Sequence, residues 1–501
     1  MPTLRVFSKE PVTDIDPRLY GSFVEHLGRC VYTGIYEPEH PAADGEGWRQ
    51  DVLDLTRELR VPIVRYPGGN FVSAHHWEDG IGPRDRRPRR LDPAWRTTET
   101  NQVGTDDFMR WCRKAGTAPM MAVNLGTRGL PEALALLEYC NHPGGSAWSD
   151  LRRNNGQTAP YGIRTWCLGN EMDGPWQTGH KTAAEYGRLA VETARAMRQF
   201  DDKLELVAAG SSSPKLPTFL HWEQEVLGHC YNAVDAISLH IYLGRGKKSL
   251  EEHLASPALM EQQIHDVVNA CDFIRARDRH KKEMMLAFDE WNVWDMDAVP
   301  SVPPGMVPWS EAPPQVEQTY DAADALVFAG MLLVLLRHAK RVRMACVAQL
   351  VNVLGLIMTK PGGPAWRQTI FWPFLHGSRH GRGHLLTGWL QNAPVHDSPE
   401  FGSVALVDAL ATREGDSLTI FALNRGKKAA PLQVVLEGGR WKVEAHEQLV
   451  AADPDAANTR RQPDAVKPRR NAATKVLKNR LSVNLPPLSW HCIRLKAGGS
   501  A

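Results

Sequence analysis

Eight short apolar runs, rich in β-branched residues, alternate with stretches of helical periodicity, and this alternation constrains the fold more than any other feature. The runs cover residues 21–27, 61–66, 118–125, 165–171, 206–211, 236–242, 284–291 and 344–351. Between them apolar residues recur with a period of about 3.6, over residues 51–60, 105–115, 183–200, 260–277 and 318–340. Strands that alternate with helices run parallel, and eight of them close into a (β/α)8 barrel. An open doubly wound sheet is the alternative. It announces itself with a Gly-rich phosphate loop after its first strand, and the chain has none there.

After about Phe374 the helical periodicity stops. Short alternating runs follow at 404–410, 418–424, 432–436, 441–446, 481–485 and 490–495, separated by turn residues. Their length and spacing read as a β-sandwich. Residues 3–7 read as a further strand that pairs with it. The expected division is a catalytic barrel over 16–375 and a sandwich built from 1–15 plus 376–501. The polar stretch 453–470 is expected to be a long surface loop.

Charge argues against nucleic acid as partner. The formal net charge is +2, and one basic run stands out, RDRRPRR at 84–90. That run reads as a solvated or inter-subunit loop, with a phosphate site as the sharper alternative. The longest apolar run, 325–336, is too short to span a bilayer and reads as a buried helix. The first residues lack the charged and apolar regions of a secretory signal. Eight cysteines are scattered without CxxC pairs, as expected of buried thiols in a reducing compartment. A cytoplasmic protein without membrane contact is expected.

In a barrel of this kind the reactive residues stand at the C-terminal ends of the strands. Those ends are acidic and amide-rich. They carry Glu25 and His26, then Arg65 and Asn70, Asn124, Asn170 and Glu171, His240 and Tyr242, Glu290, and finally Gln349 and Asn352. Two glutamates, Glu171 and Glu290, thus finish the fourth and seventh strands. Either alone reads as readily as a structural ion-pair partner. As a pair they match glycoside cleavage, in which one carboxyl protonates the leaving oxygen and the other attacks or activates water. A separation of about 5–5.5 Å means retention through a covalent intermediate. A metal site at His26, His75 and His76 is set aside, because adjacent histidines rarely chelate one ion together. His180 and His240 are expected to hold backbone or carboxylate partners. No metal and no cofactor is expected.

The stretches YGSFVEHLGRCVYTGIYEP, VRYPGGNFVSAHHWEDGIGP, LDPAWRTTETNQVG, WCLGNEMDGPWQTGHKTAAEYGRLA, SLHIY, LAFDEWNVW and AQLVNVL, with the closing LPPLSWHCIRL, resemble glycoside hydrolase family 51 over nearly the whole chain. These are the intracellular exo-acting α-L-arabinofuranosidases. The resemblance implies a (β/α)8 TIM barrel with a jelly-roll-like β-sandwich. It implies Glu171 as acid/base, Glu290 as nucleophile, and a furanose pocket formed by Glu25, Asn70, Asn170, Tyr242 and Gln349. Trp95 and Trp176 would border that pocket. Asn170 is expected to bond the sugar 2-hydroxyl, and Tyr242 and Arg65 to donate to Glu290. Arabinofuranosyl-containing oligosaccharides are the implied substrates, and a homo-oligomer, in the family a hexamer, the implied assembly. A same-clan β-D-galactofuranosidase, β-xylosidase or endoglucanase is the nearest alternative. A non-catalytic carbohydrate-binding protein is the more distant one, and it predicts loss of a carboxylate that this chain keeps. The chain departs from the family pattern at His75, His76 and Ile241. All three are expected at the site rim, where they bear on the choice between L-arabinofuranose and a ring such as D-galactofuranose.

Overall fold

All eight runs form strands, and the computed structural model, which describes residues 1–498, closes them into one parallel barrel. In chain order the barrel strands are Gly21–Phe23, Ile63–Tyr66, Ala118–Val123, Thr165–Leu168, Glu205–Ala208, Ala236–Tyr242, Met285–Asn292 and Val342–Val347. Closure comes where Cys346 and Val347 pair with Gly21 and Ser22. A Cβ on Gly21 would stand 2.7–2.9 Å from Ala345 O, Ile63 Cγ2 and Cys346 Sγ, so glycine lets the last strand reach the first. Side chains alternate along each strand. Phe23, Ile63, Met120, Cys167, Val207, Ala236 and Met344 fill the barrel, while Val64, Trp166, Leu206 and Phe288 face the helices.

The helices follow their sequence signals. Thr105–Ala115 carries Asp106 and Asp107 in its first turn and Arg113 and Lys114 in its last, matching the helix dipole. It stops at Gly116, which takes φ 75°. Ala183–Phe200 starts from a capping box of Thr182 and Glu185. Apart from Asp324 in its first turn, Ala322–Arg337 is apolar on all sides and buried up to its last residue, Arg337. Several helices were not foreseen, among them Leu130–Asn141, His221–Cys230 and Phe371–His380. The last packs on Ala322–Arg337. We therefore propose a division between the two units after His380, since residue 375 falls inside this helix.

The second unit is a ten-stranded, mostly antiparallel sheet. Strand Thr3–Asp14 lies inside it, antiparallel to His384–Gln391 and parallel to Ala430–Glu437. Leu4 and Val6 share one core with Leu432 and Val483 from one end of the sheet and Ile420 and Leu495 from the other. Strands far apart in the order can share a core only if the sheet folds over on itself, which makes the sandwich.

Two loop expectations need correction. Stretch 453–470 is not simply a surface loop. Asn458 is buried and donates to Arg367 O and Val466 O, and Trp372 Nε1 donates to Val466 O at 3.0 Å, so the loop is tied to the barrel side. The basic run is not simply solvated. Arg84 and Arg87 hold the buried Asp107 at 2.8 and 2.6 Å, Arg90 holds Asp79 at 2.8 Å, and Arg89 pairs with Glu311. Those guanidinium groups already face carboxylates, which leaves little for a phosphate. All eight cysteines are buried and unpaired. Among the described residues no helix is long and apolar enough to cross a membrane.

Candidate active site

The C-terminal ends of the barrel strands surround a cavity of about 720 Å³. Glu25, Asn70, Trp95, Glu171, Trp176, Tyr242, Glu290 and Gln349 all line it. Asn170 does not. It is buried behind the wall, with Oδ1 accepting from Arg65 Nη2 at 2.5 Å and Nδ2 pointing at Asn70 Oδ1 3.4 Å away.

The two glutamates come together at the floor. One oxygen of Glu171, one of Glu290 and a ring nitrogen of His240 all lie within 4.8 Å of one another. Glu171 sits just past the fourth strand with φ 44°, a left-handed backbone that few side-chain-bearing residues adopt. Its Oε2 accepts from Trp176 Nε1 at 2.7 Å, and its Oε1 is 2.9 Å from His240 Nδ1. Glu290 accepts from Arg65 Nη1 at 2.7 Å and from the Tyr242 hydroxyl at 2.9 Å.

A local irregularity brings Glu290 inward. Strict alternation from Ala287 sends Asp289 into the barrel and Glu290 out. In the pairing with the sixth strand, Ala287 faces Ser238 and Glu290 faces His240, so three steps on one strand match two on its neighbour. The extra residue is a bulge, and it turns two successive carboxylates inward. Once Glu290 is read as facing inward, alternation turns Asp289 outward, so Asp289 was missed in the sequence. It forms an ion pair with Arg65 Nε at 3.1 Å and lies 3.4 Å from His240 Nε2.

These charges set one another. Burial would raise the Asp289 carboxyl, but Arg65 and His240 hold it down at about 2. Burial would lower the His240 imidazole, yet Glu290, Asp289 and Glu171 push it up to about 10. Arg65 and His240 are therefore two buried cations beneath the carboxylates. Glu25 differs. Burial, and then the charge of Glu290, push its carboxyl up to about 8. It accepts from Phe71 N and Trp95 Nε1, both at 3.0 Å, and exchanges two hydrogen bonds of 3.1 Å with Gln349.

The other strand-end residues do different work. Asn124 accepts from Gly126 N and Thr127 N and shapes the turn after the third strand. Asn352 donates to Arg29 O and Thr359 Oγ1. His180 is exposed. Of the three departures from the family pattern, Ile241 lines the cavity. His75 and His76 do not reach it. They line a separate cavity of about 130 Å³ with Asp79, Asp92 and Glu99. The rim expectation for these two is corrected: the His75 ring packs against Phe71, tilted at 4.8 Å, and lies parallel to the His26 ring at 6.3 Å. His26 has both nitrogens engaged at 2.8 Å, by Glu99 and the Tyr66 hydroxyl. Residues of the outer wall that the sequence did not single out include Lys215, Lys248, Trp294 and Asp295.

Two family profiles match the chain. The α-L-arabinofuranosidase 1 domain covers residues 55–248, and the α-L-arabinofuranosidase C-terminal domain covers 289–489. An intracellular exo-α-(1→5)-L-arabinofuranosidase of Streptomyces lividans is 54% identical over 96% of this chain and 73% of its own length. An enzyme of the same name from Bacillus subtilis is 50% identical over 97% of both chains. Among solved structures, a family 51 α-L-arabinofuranosidase from Bifidobacterium longum matches with a TM-score of 0.94 at 44% identity, over 98% of this chain and 99% of that one.

Proposed function

The chain belongs to glycoside hydrolase family 51, the α-L-arabinofuranosidases, and from that membership we propose that it releases terminal non-reducing α-L-arabinofuranosyl residues from arabinoside oligosaccharides and hemicellulose fragments. The reaction retains configuration at the anomeric carbon. The observation that carries this reading is the closeness of Glu171 and Glu290, whose nearest oxygens are within 4.8 Å. An inverting pair needs about 6.5–9.5 Å to admit a water between them.

Glu290 is the nucleophile. Arg65 and Tyr242 donate to it and aim it at the sugar. Its oxygen bonds to the anomeric carbon as the bond to the leaving oxygen breaks, and Glu171 gives that oxygen its proton. In the second step Glu171 takes a proton from water, the water oxygen bonds to the anomeric carbon, and the ester to Glu290 breaks. Arg65 and His240 lie against the carboxylates of Asp289 and Glu290 and offset their charge. Glu25, Asn70 and Gln349 read the ring hydroxyls, Asn170 bonds the 2-hydroxyl or positions Asn70 for it, and Trp95 and Trp176 border the ring.

Azide separates the two roles. The Glu171→Ala enzyme should keep its turnover of substrates with good leaving groups only when azide is added, giving a glycosyl azide of retained configuration. The Glu290→Ala enzyme should give an azide of inverted configuration or nothing. Undiminished hydrolysis by Glu290→Ala would remove it as nucleophile. Higher turnover of a nitrophenyl β-xyloside or β-D-galactofuranoside than of the α-L-arabinofuranoside would shift the specificity to the same-clan alternatives.

The reaction is placed in the cytoplasm, since the relatives are named intracellular. A homo-oligomer is proposed from family membership, with sedimentation equilibrium as its test. A single-chain mass at all concentrations would exclude it.

A further inference from the structure

Away from the cavity, one group of side chains converges as metal ligands do. Glu261 and His265 stand four residues apart on one face of helix Pro257–Arg277. His338 follows the last turn of the neighbouring helix Ala322–Arg337. One carboxylate oxygen of Glu261 and one ring nitrogen of each histidine lie within 4.8 Å of one another. His338 Nε2 is 3.3 Å from Glu261 Oε1, and the two imidazoles meet edge to face with ring centres 4.8 Å apart. In a tetrahedral zinc site with bonds of about 2.0–2.1 Å, neighbouring donors stand about 3.4 Å apart. Glu261 and His338 already have that spacing. His265 is exposed, so rotation of its side chain brings it in.

We propose that Glu261, His265 and His338 form a site for a divalent ion of borderline softness, Zn²⁺ foremost, with water on its open side. Two imidazoles and one carboxylate suit zinc and disfavour Mg²⁺ and Ca²⁺, which take oxygen donors. Arg337 is the competing cation, with Nη1 at 3.2 and 3.3 Å from the two Glu261 oxygens. The same guanidinium donates to Asp408 at 2.7 Å, on strand Val407–Glu414 of the sandwich. It therefore keeps a carboxylate when the ion takes Glu261. The C-terminal end of Ala322–Arg337 turns its negative pole toward the ion. Bound there, the ion clamps two barrel helices where they meet the sandwich, apart from the reaction.

The test is a calorimetric titration of the full chain with Zn²⁺ alone, alongside the His265→Ala and Glu261→Gln proteins. Wild type should bind one Zn²⁺ per chain with a micromolar Kd and melt at a higher temperature when loaded. Each variant should bind at least about tenfold more weakly. His265 is exposed, so its variant keeps the fold and keeps arabinoside hydrolysis. No stoichiometric binding would overturn the site. Equal binding by His265→Ala would overturn it as well. That outcome, with hydrolysis abolished by the ion, would place the zinc on Glu171, His240 and Glu290, the other group of donors this close among the described residues.

Discussion

At Glu25 the sugar recognition proposed for the site works against stability. It is 3% exposed, and burial with the charge of Glu290 pushes its carboxyl up to about 8. At neutral pH it is an uncharged acid with an O–H to offer a sugar hydroxyl. In the unfolded chain the same group ionises at its ordinary value of 4.5. Between those two values the folded state holds a proton that the unfolded state has lost. Stability therefore falls as pH rises from 4.5 to about 8. At about 1.4 kcal/mol per pH unit the loss by neutrality is on the order of a few kcal/mol. Glu25→Gln cannot ionise. Its melting temperature should fall less than that of wild type between pH 5 and about 8, while KM for arabinosides rises because a ring contact is altered. Parallel melting profiles would show that Glu25 carries no such proton.

Helix Thr105–Ala115 shows how one buried carboxylate orders a loop far along the chain. Asp107 accepts from the N-cap Gly104 N at 3.0 Å and holds Arg84, Arg87 and Arg110 around it. Arg87 has 4% of its side chain exposed. Asp107→Ala leaves that cation buried with the carbonyls of Gly82 and Asn101 but without its carboxylate, and should destabilise the protein by about 3–5 kcal/mol. Trypsin should then cut within 84–90 much faster than in wild type, and an unchanged digestion rate would sink this account. The pairing was not visible in the sequence, because Asp107 reads as an ordinary first-turn acid and the arginines as a solvated run. What periodicity governs was visible. The eight strands, the helices Thr105–Ala115 and Ala183–Phe200, and the two strand-end glutamates follow from local pattern. Helix Phe371–His380 was hidden by Pro373 within its first turn, where proline is tolerated although it reads as a break. Asp289 was hidden by the bulge, because alternation admits one of two successive residues to a barrel interior and this strand admits both. The separate cavity that His75 and His76 line was hidden because they fall between the 3-10 turns Asn70–Ala74 and Trp77–Gly80, with His75 packed on Phe71, a choice made by packing.

Across the whole molecule, buried groups of two kinds take up protons in opposite senses. Burial pushes the imidazoles of His75, His376 and His491 down to about 3 and those of His380 and His446 down to about 4. In the unfolded chain they protonate near 6.5, so each removes stability as pH falls from 6.5 toward its folded value. Burial pushes the carboxyls of Asp92 and Asp321 up to about 7 and that of Asp173 up to about 6, with Glu25 above them at about 8. Each of these restores stability as pH falls toward the ordinary carboxyl range. Between about 4.5 and 6.5 the two sets oppose each other, and the melting temperature of wild type should change less there than either set alone would make it. Removing one member should change that slope. His446 sits in a buried chain from Thr474 Oγ1 at 2.7 Å to His491 Nδ1 at 2.8 Å, in the core of the sandwich. His446→Gln keeps polar atoms in place but has no proton to gain. Its absolute stability is lower because the amide fits the chain less well. Relative to wild type, its melting temperature should nevertheless climb as pH falls across that window, whereas that of Glu25→Gln should drop. Calorimetric melts of the three proteins over the same pH series decide the matter, since equal slopes in all three would mean that neither the barrel floor nor the sandwich core governs how this molecule responds to acid.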